Sequence, residues 1–313
     1  MPAIGPIIPH LWFDKEAVEA ARFYVDVFPD ASIHHVGRMH DTPSGDVDFV
    51  DFRLAGLRFV AISAGPHFRI DPSISFIVNF DPSRDPDAAA HLDATWDRLA
   101  EGGTALMPLG AYPFSKRYGW VQDRFGVSWQ LILSDPAGDP RPMIVPSLLF
   151  TQDRAGRADE AIDLWTGIFP DSGRGQTVPY PAEMGADKEG SLMFADFRLC
   201  GQWFAAMDSP EPNDFVFNEA VSLLVECASQ AEIDALWTAL SAVPDAEQCG
   251  WLKDRFGVSW QIAPSFLQMA MREGTREQVD RVTAAFLPMK KLDVAALEAA
   301  YQGRAATPPA GAR

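Results

Sequence analysis

The 313-residue chain has little cysteine, with only Cys200, Cys227 and Cys249, all in its second half. An odd count with no CxxC pair argues against a disulfide framework or a cysteine zinc cluster. It points instead to reduced thiols in a cytoplasmic protein. Basic residues are few, 26 against 43 acidic ones, and the net charge of −17 argues against a nucleic acid or an anionic membrane as partner. No apolar run approaches the length of a membrane span, and the opening MPAIGPIIPHLWF is not the pattern of a signal peptide. No GxGxG turn is present for a dinucleotide-like or methyl-donor site, and no Ser/His/Asp nucleophile grouping stands out.

What the chain does have is a repeat. Residues 119–131 read GWVQDRFGVSWQL and residues 250–262 read GWLKDRFGVSWQI, so DRFGVSWQ recurs letter for letter at Asp123–Gln130 and Asp254–Gln261. Such identity marks a duplicated unit. IIPHLWF (7–13) is matched by IVPSLLF (144–150), FVDFRLAGLRFVAIS by FADFRLCGQWFAAMD, and ISFIVN by VSLLVE.

Each unit alternates between two periodicities. The run DKEAVEAARFYVDVFPD repeats apolar residues at three- and four-residue steps, which predicts a helix with Asp14 as N-cap and Pro29 as its stop. FVDFRLAGLRFVAIS alternates around Gly56 and predicts a hairpin. HLDATWDRLAEGG predicts a second helix closed by Gly102 and Gly103. Residues 7–133 therefore read β-α-β-β-β twice, an α+β class in which short helices cover a sheet. SDPAGDPRPM (134–143) reads as a linker. The tail from Ser265 has no counterpart in the first unit. It reads as mostly helical packing across the two repeats, with GRAATPPAGAR expected to be disordered.

The phrases LWFD…AARFYVDVFPD, DFRLAG, ISFIVN and GWVQDRFGVSWQL, and the tail MKKLDVAALEAA, resemble the vicinal oxygen chelate (glyoxalase/bleomycin resistance/dioxygenase) superfamily. The nearest branch is the one called PhnB-like or 3-demethylubiquinone-9 3-methyltransferase-like. The resemblance implies two tandem glyoxalase-like domains, residues 1–135 and 144–264, joined by a linker at 136–143 and followed by a helical extension at 265–313. Each domain is implied to be a pair of βαβββ modules forming a U-shaped antiparallel sheet with helices on its convex side. Relatives pair modules by swapping or dimerisation, a need this chain can meet internally, so monomer and homodimer are equally allowed. Many relatives hold one divalent metal inside the U through His, Gln or Glu.

Strand alternation selects the side chains facing such a cavity. Val127, Trp129 and Leu131 form the helix-facing set, leaving Ser128, Gln130 and Ile132 in the cavity. Leu11 and Phe13 leave Ile8, His10 and Trp12 there. Gln130 and Gln261 fall where metal-binding relatives carry glutamate, and glutamine brings no charge to a hard cation. The second unit has Ser147 in place of His10, and the fifth-strand candidates Ser73, Ser75, Ala220 and Ser222 are poor ligands. His10 and Gln130 are thus the best metal candidates, short of a full site. Asp51 with Arg53, and Asp196 with Arg198, read as ion pairs on one strand face or as a clamp for a polar substrate. Trp120 and Trp251 read as aromatic linings of a cavity mouth. The expectation is a protein that binds a small molecule in a concave cavity, with no cofactor assigned. A metal-dependent lyase, isomerase or dioxygenase, and a methyltransferase implied by the branch name, are the alternatives.

Overall fold

The computed structural model describes residues 4–181, 190–209 and 211–304; the expected disorder at the end of the chain lies outside them from residue 305 onward. The first unit begins with β1 (Ile8–Phe13), α1 (Ala17–Val27), β2 (Ser32–Thr42), β3 (Gly45–Leu54) and β4 (Leu57–Ser63). It continues with β5 (Ile74–Phe80), α2 (Ala88–Ala100), β6 (Thr104–Tyr112), β7 (Ser115–Gln122) and β8 (Ser128–Leu133). The second unit supplies β9 (Ile144–Phe150), α3 (Ala158–Ile168), β10 (Gly173–Pro179), β11 (Leu192–Leu199) and β12 (Gln202–Asp208). Then come β13 (Val221–Cys227), α4 (Gln230–Leu240), β14 (Trp251–Lys253) and β15 (Ser259–Pro264). The tail forms α5 (Ser265–Glu273), α6 (Arg276–Phe286) and α7 (Val294–Tyr301).

Two sheets result, and each takes strands from both repeats, four from the first and three from the second in sheet A and four from each in sheet B. Sheet A runs β14-β15-β13-β1-β4-β3-β2 and sheet B runs β10-β11-β12-β9-β5-β8-β7-β6. The joints are antiparallel: β1 lies on β13 with His10 opposite Ser222, and β9 lies on β5 with Ser147 opposite Ser75. Inside each half-repeat one pair is parallel: β1 with β4, β5 with β8, β9 with β12, and β13 with β15. The sheets are therefore mixed rather than purely antiparallel, because the helix of the first module carries the chain back to start the edge strand β2 in the direction of β1, and the antiparallel run β2–β3–β4 then lays β4 parallel beside β1.

The core lies between the helix-bearing faces of the two sheets. Leu11, Phe52, Phe59, Phe76, Trp129, Trp165, Phe197 and Trp260 belong to one buried cluster with the apolar stripes of α1 to α4. Phe59 of sheet A meets Phe76 of sheet B at 5.0 Å between ring centroids, and Tyr24 of α1 meets Trp129 of sheet B at 5.3 Å. Each such aromatic ring, fully buried, is worth roughly 1.5–3 kcal/mol of transfer free energy.

The repeated DRFG turn clasps the sheets together. Asp123 Oδ2 accepts from Tyr24 Oη on α1 and from Trp129 Nε1, both at 2.8 Å, while Oδ1 accepts from the Phe125 and Val127 amides. Asp254 does the same in the other half, accepting from Trp165 on α3, Trp260, and the Phe256 and Val258 amides. Burial pushes the Asp123 carboxyl up to about 6 against the pull of these four donors, and Asp254 is raised for the same reason. Gly126 and Gly257 hold φ near +90°, where a side chain would strain the backbone.

Two local expectations change. Asp14 does not cap α1: the helix begins at Ala17, whose amide donates to Ser63 Oγ on β4, and Ala158 at the start of α3 donates likewise to Asp208. Both helices are capped across the fold from a neighbouring strand end, which periodicity in the helix itself cannot reveal. The stretch ALMPLGAYPFSKRYG (105–119), whose composition suggests a loop or short strand, forms most of the hairpin β6–β7. Its counterpart in the second unit is cut short, so sheet A ends on the three-residue β14. The Cys249 and Gly250 amides beside β14 donate to the Met289 and Lys290 carbonyls of the α6–α7 connection, which patches this edge.

Candidate functional site

The face of each sheet turned away from the core carries the chemistry. On sheet B the floor is a chain of polar side chains placed by strand alternation. Tyr118 Oη donates to Gln130 Oε1 at 2.8 Å, and Gln130 Nε2 donates to Ser75 Oγ at 2.8 Å. Ser147 stands directly opposite Ser75, is 0% exposed, and its Oγ has no protein partner. Beside this chain, Trp120 Nε1 donates to Ser128 Oγ at 2.6 Å. Burial raises the Tyr118 phenol far above its ordinary range, so it stays a protonated donor. Gly119 between the two aromatics is required, since a Cβ there would stand 2.4 Å from the Trp96 ring on the other side of the sheet. Tyr112 and Phe114 pack on Tyr118 at 5.4 and 4.9 Å, and Phe114 is 61% exposed. The helices packed against sheet B, α2 and α3, lie on its core side.

Sheet A repeats the floor with changed details. Gln261 Nε2 donates to Ser222 Oγ at 2.9 Å, and Ser222 stands opposite His10. His10 is 4% exposed, its Nδ1 has no partner, and burial pushes its imidazole down to about 3. Trp251, the counterpart of Trp120, does not bond Ser259, whose Oγ is left unpaired. It packs instead edge-on against His10 at 5.5 Å and Trp12 at 6.2 Å. The tail helices cover the rest of this face: Leu267, Ala270, Met271, Val282 and Leu297 form one buried cluster with Ile8, Phe49, Val60, Leu224 and Ala263 of the strands.

His10 and Gln130 therefore do not share a site, because β1 is in sheet A and β8 is in sheet B. The same-repeat pairing assumed that a repeat is one cavity, whereas each cavity face is shared between repeats. His10 lies with Gln261, and Gln130 lies with Ser147. Trp12 and Trp251 stand together, half-buried, on sheet A, and Trp120 is half-buried on sheet B.

The acid–arginine pairs are also re-partnered. Asp51 is held by Arg58, not Arg53: Arg58 Nη2 reaches Asp51 Oδ2 at 2.8 Å and its Nη1 reaches Glu226 Oε1 at 2.8 Å. Arg53 is exposed and donates to the Gly56 carbonyl. Asp196 is held by Arg141 of the linker at 2.8 Å, and by the Gln176 amide at 2.6 Å. Arg141 also covers the Trp203 ring at 3.9 Å, while Arg198 is exposed on the flank of the same ring. In both cases a partner from another strand or the linker reaches deeper than the i+2 arginine. Ser75 and Ser222, poor metal ligands, are floor residues in both sheets, and their matched places in ISFIVN and VSLLVE are the sequence signal for it. Tyr118, Arg58, Glu226 and Arg141 carried no repeat signal at all.

These donors do not fit a divalent metal. Among the described residues sheet B's cavity face offers no imidazole, its carboxylate Asp196 is held by Arg141 and the Gln176 amide, and Gln130 has both ends of its amide engaged. Sheet A's cavity face offers His10 on β1 and, three strands away on β2, His35 against Phe49, and the nearby acids Asp51 and Glu226 are locked on Arg58. Among the described residues no group of three or more His, Cys, Asp or Glu comes together for an ion.

Paired βαβββ modules with helices between the sheets and polar floors on the opposite faces define the glyoxalase, or vicinal oxygen chelate, class of fold. The fold agrees with glyoxalase I of Zea mays at 11% identity and a TM-score of 0.50, covering 86% of this chain and 98% of that one. The chain belongs to the 3-demethylubiquinone-9 3-methyltransferase family, whose sequence profile matches residues 6–132 and 142–263. A PhnB protein of Bacillus cereus is 32% identical over 41% of this chain and 98% of its own, with a TM-score of 0.36. No curated protein sequence matches the chain. Among the described residues no helix is long and apolar enough to cross a membrane.

Proposed function

We propose that the protein binds a small, flat, uncharged molecule on the cavity face of sheet B, without a metal ion. The supporting observation is Ser147. Its hydroxyl is buried and unpaired in a floor where Ser75, Gln130 and Tyr118 satisfy one another. A buried hydroxyl without a partner costs about 1–3 kcal/mol, which a ligand acceptor recovers. Trp120 and the Tyr112–Phe114–Tyr118 group beside the floor suit a flat aromatic body, and the buried carboxylate on this face, Asp196, is already neutralised by Arg141. An aromatic ketone matches both features: its ring meets the aromatics and its carbonyl accepts from Ser147.

The test is a titration of 2-acetylnaphthalene into the full chain, followed by tryptophan fluorescence, before and after exhaustive chelation. Saturable binding that chelation leaves unchanged supports the reading. Binding that vanishes on chelation and returns with a divalent ion would overturn it in favour of a metal-dependent enzyme. Methyl transfer is supported by the family's description alone. Calorimetry with S-adenosylmethionine checks it, and no heat is expected.

A further inference from the structure

We propose that the groove where α1 and the end of α2 meet the Asp123–Gly126 turn is a binding site for a short zwitterionic peptide, its carboxylate on Arg69 and Arg124 and its ammonium on Glu16 and Glu19. The groove shares no residue with the polar floor of either sheet, and the proposal does not rest on the reading of sheet B.

The groove encloses about 570 Å3. One wall is the start of α1, with Glu16 and Glu19. The others are Arg69 and Ile70 of the β4–β5 connection, Gly102 and Gly103 after α2, and the turn itself with Arg124 and Phe125. Two acids and two arginines thus line one space. Among the described residues none of the four forms an ion pair: Arg124 lies on aromatic rings and Glu16 accepts from the Lys15 amide. In a chain with 43 acidic residues against 26 basic ones, two arginines without a carboxylate are the less expected half of this set.

The duplicate of this corner is closed. By the repeat, Glu19 corresponds to Glu160, Arg124 to Arg255, Glu16 to Arg157 and Phe23 to Leu164. There Arg255 reaches Glu160 at 3.0 Å, and Arg157 reaches the same carboxylate at 3.0 Å. Two differences keep the first corner open. Glu16 stands in the place of Arg157, so Glu19 has a second acid beside it instead of a cation. Phe23 stands in the place of Leu164 and gives Arg124 a ring to lie on. Its guanidinium is 4.3 Å from the Phe23 centroid and 4.9 Å from that of Phe125. Ring faces attract a cation, and an exposed ion pair is worth no more than that attraction, so the rings hold Arg124 off Glu19. A stacked guanidinium still presents its N–H edge, the fork that fits a carboxylate.

The charges fix the ligand class. A plain anion on the arginines would face Glu16 and Glu19, and a plain cation on the acids would face the arginines. A molecule carrying both charges satisfies both walls. The acids and arginines of the groove stand beyond ion-pair distance of one another, so the charges of the ligand must also be set apart. A single amino acid has them side by side, whereas an extended dipeptide spans about 7 Å.

The experiment titrates the full chain, 15N-labelled at arginine, with glycylglycine, and follows the Nε signals of Arg69 and Arg124 by NMR. N-acetylglycylglycine lacks the ammonium, glycylglycinamide lacks the carboxylate, and inorganic phosphate is an anion alone. The expected result is a saturable shift of both signals with glycylglycine, and at least threefold weaker binding of each blocked dipeptide and of phosphate. Arg124→Gln removes the preference for a free carboxylate, and Glu19→Gln reduces the preference for a free ammonium, while Arg255→Gln in the other repeat changes neither. Phe23→Leu, which copies the second repeat, lets Arg124 fall onto Glu19 and costs at least threefold in affinity. Signals of Arg69 and Arg124 that do not saturate would overturn the proposal. Equal affinity for the blocked dipeptides would do the same, as would phosphate binding as tightly as glycylglycine, which would make the groove a plain anion site. The blocked-dipeptide series uses the wild type alone, so the test stands should Phe23→Leu fail to fold.

Discussion

Sheets A and B are built from the same two half-repeats in exchanged order, yet their cavity faces have diverged. Both keep a Ser–Gln pair, Ser222 with Gln261 and Ser75 with Gln130. Both keep the aspartate clasp on the core side. They differ at the strand opposite the serine, His10 against Ser147, and at the edge, where sheet B carries the β6–β7 hairpin and sheet A carries the tail. Duplication fixed the scaffold, and the edges individualised the sites.

The shared part gives the largest expected effect. Asp123→Ala strands a phenol, an indole N–H and two amides without an acceptor, at about 1–3 kcal/mol each. Asp254→Ala strands an equivalent set. Chemical denaturation is expected to show losses above about 4 kcal/mol for either, and losses that differ widely between them would break the symmetry of the core. Next comes the tail. Leu297→Ala empties a fully buried position and is expected to cost about 2–5 kcal/mol and to speed hydrogen exchange in β1 and β13 but not in β5 and β9. Equal acceleration in both sheets would mean that the tail is not specific to sheet A.

The pH dependence separates the sheets further. His10 has a folded pKa near 3 against 6.5 for the free side chain. Below pH 6.5 the unfolded chain takes up a proton that the folded one refuses, so stability is lost as pH falls towards 3, by roughly 1.4 kcal/mol per pH unit. Asp123 has the opposite sign: raised from 3.8 to about 6, it favours the folded state as pH falls through 6, and that contribution is lost as pH rises. Stability of the wild type minus that of His10→Phe should therefore fall steadily between pH 6.5 and 4, while His10→Phe alone gains from acidification. A difference independent of pH would mean that His10 is not held neutral by burial. The smallest effect belongs to sheet B, where Tyr118→Phe removes one hydrogen bond to Gln130 and is expected to cost about 1 kcal/mol.

Much of the fold was legible because the repeat and the strand periodicity are local signals. Val127, Trp129 and Leu131 face the helices, and Ser128 and Gln130 face away, as alternation requires. The site was legible only in part. Which strand lies beside which is set by long-range pairing, and the exchange of half-repeats separated His10 from Gln130, residues that the sequence presents as one unit. Partners such as Arg58 for Asp51 and Arg141 for Asp196 come from a neighbouring strand and from the linker. The tail's apolar residues announced helices, but the face they cover depends on the shortened edge at β14.

The most direct test of a metal-free site on sheet B is a crystal structure of the full chain grown with 2-acetylnaphthalene in chelator-treated buffer. The expected density is a flat molecule on the floor of sheet B, its carbonyl within hydrogen-bond distance of Ser147 Oγ and its ring beside Trp120. A metal ion coordinated on that floor, or a floor left bare while the probe settles elsewhere, would contradict the account.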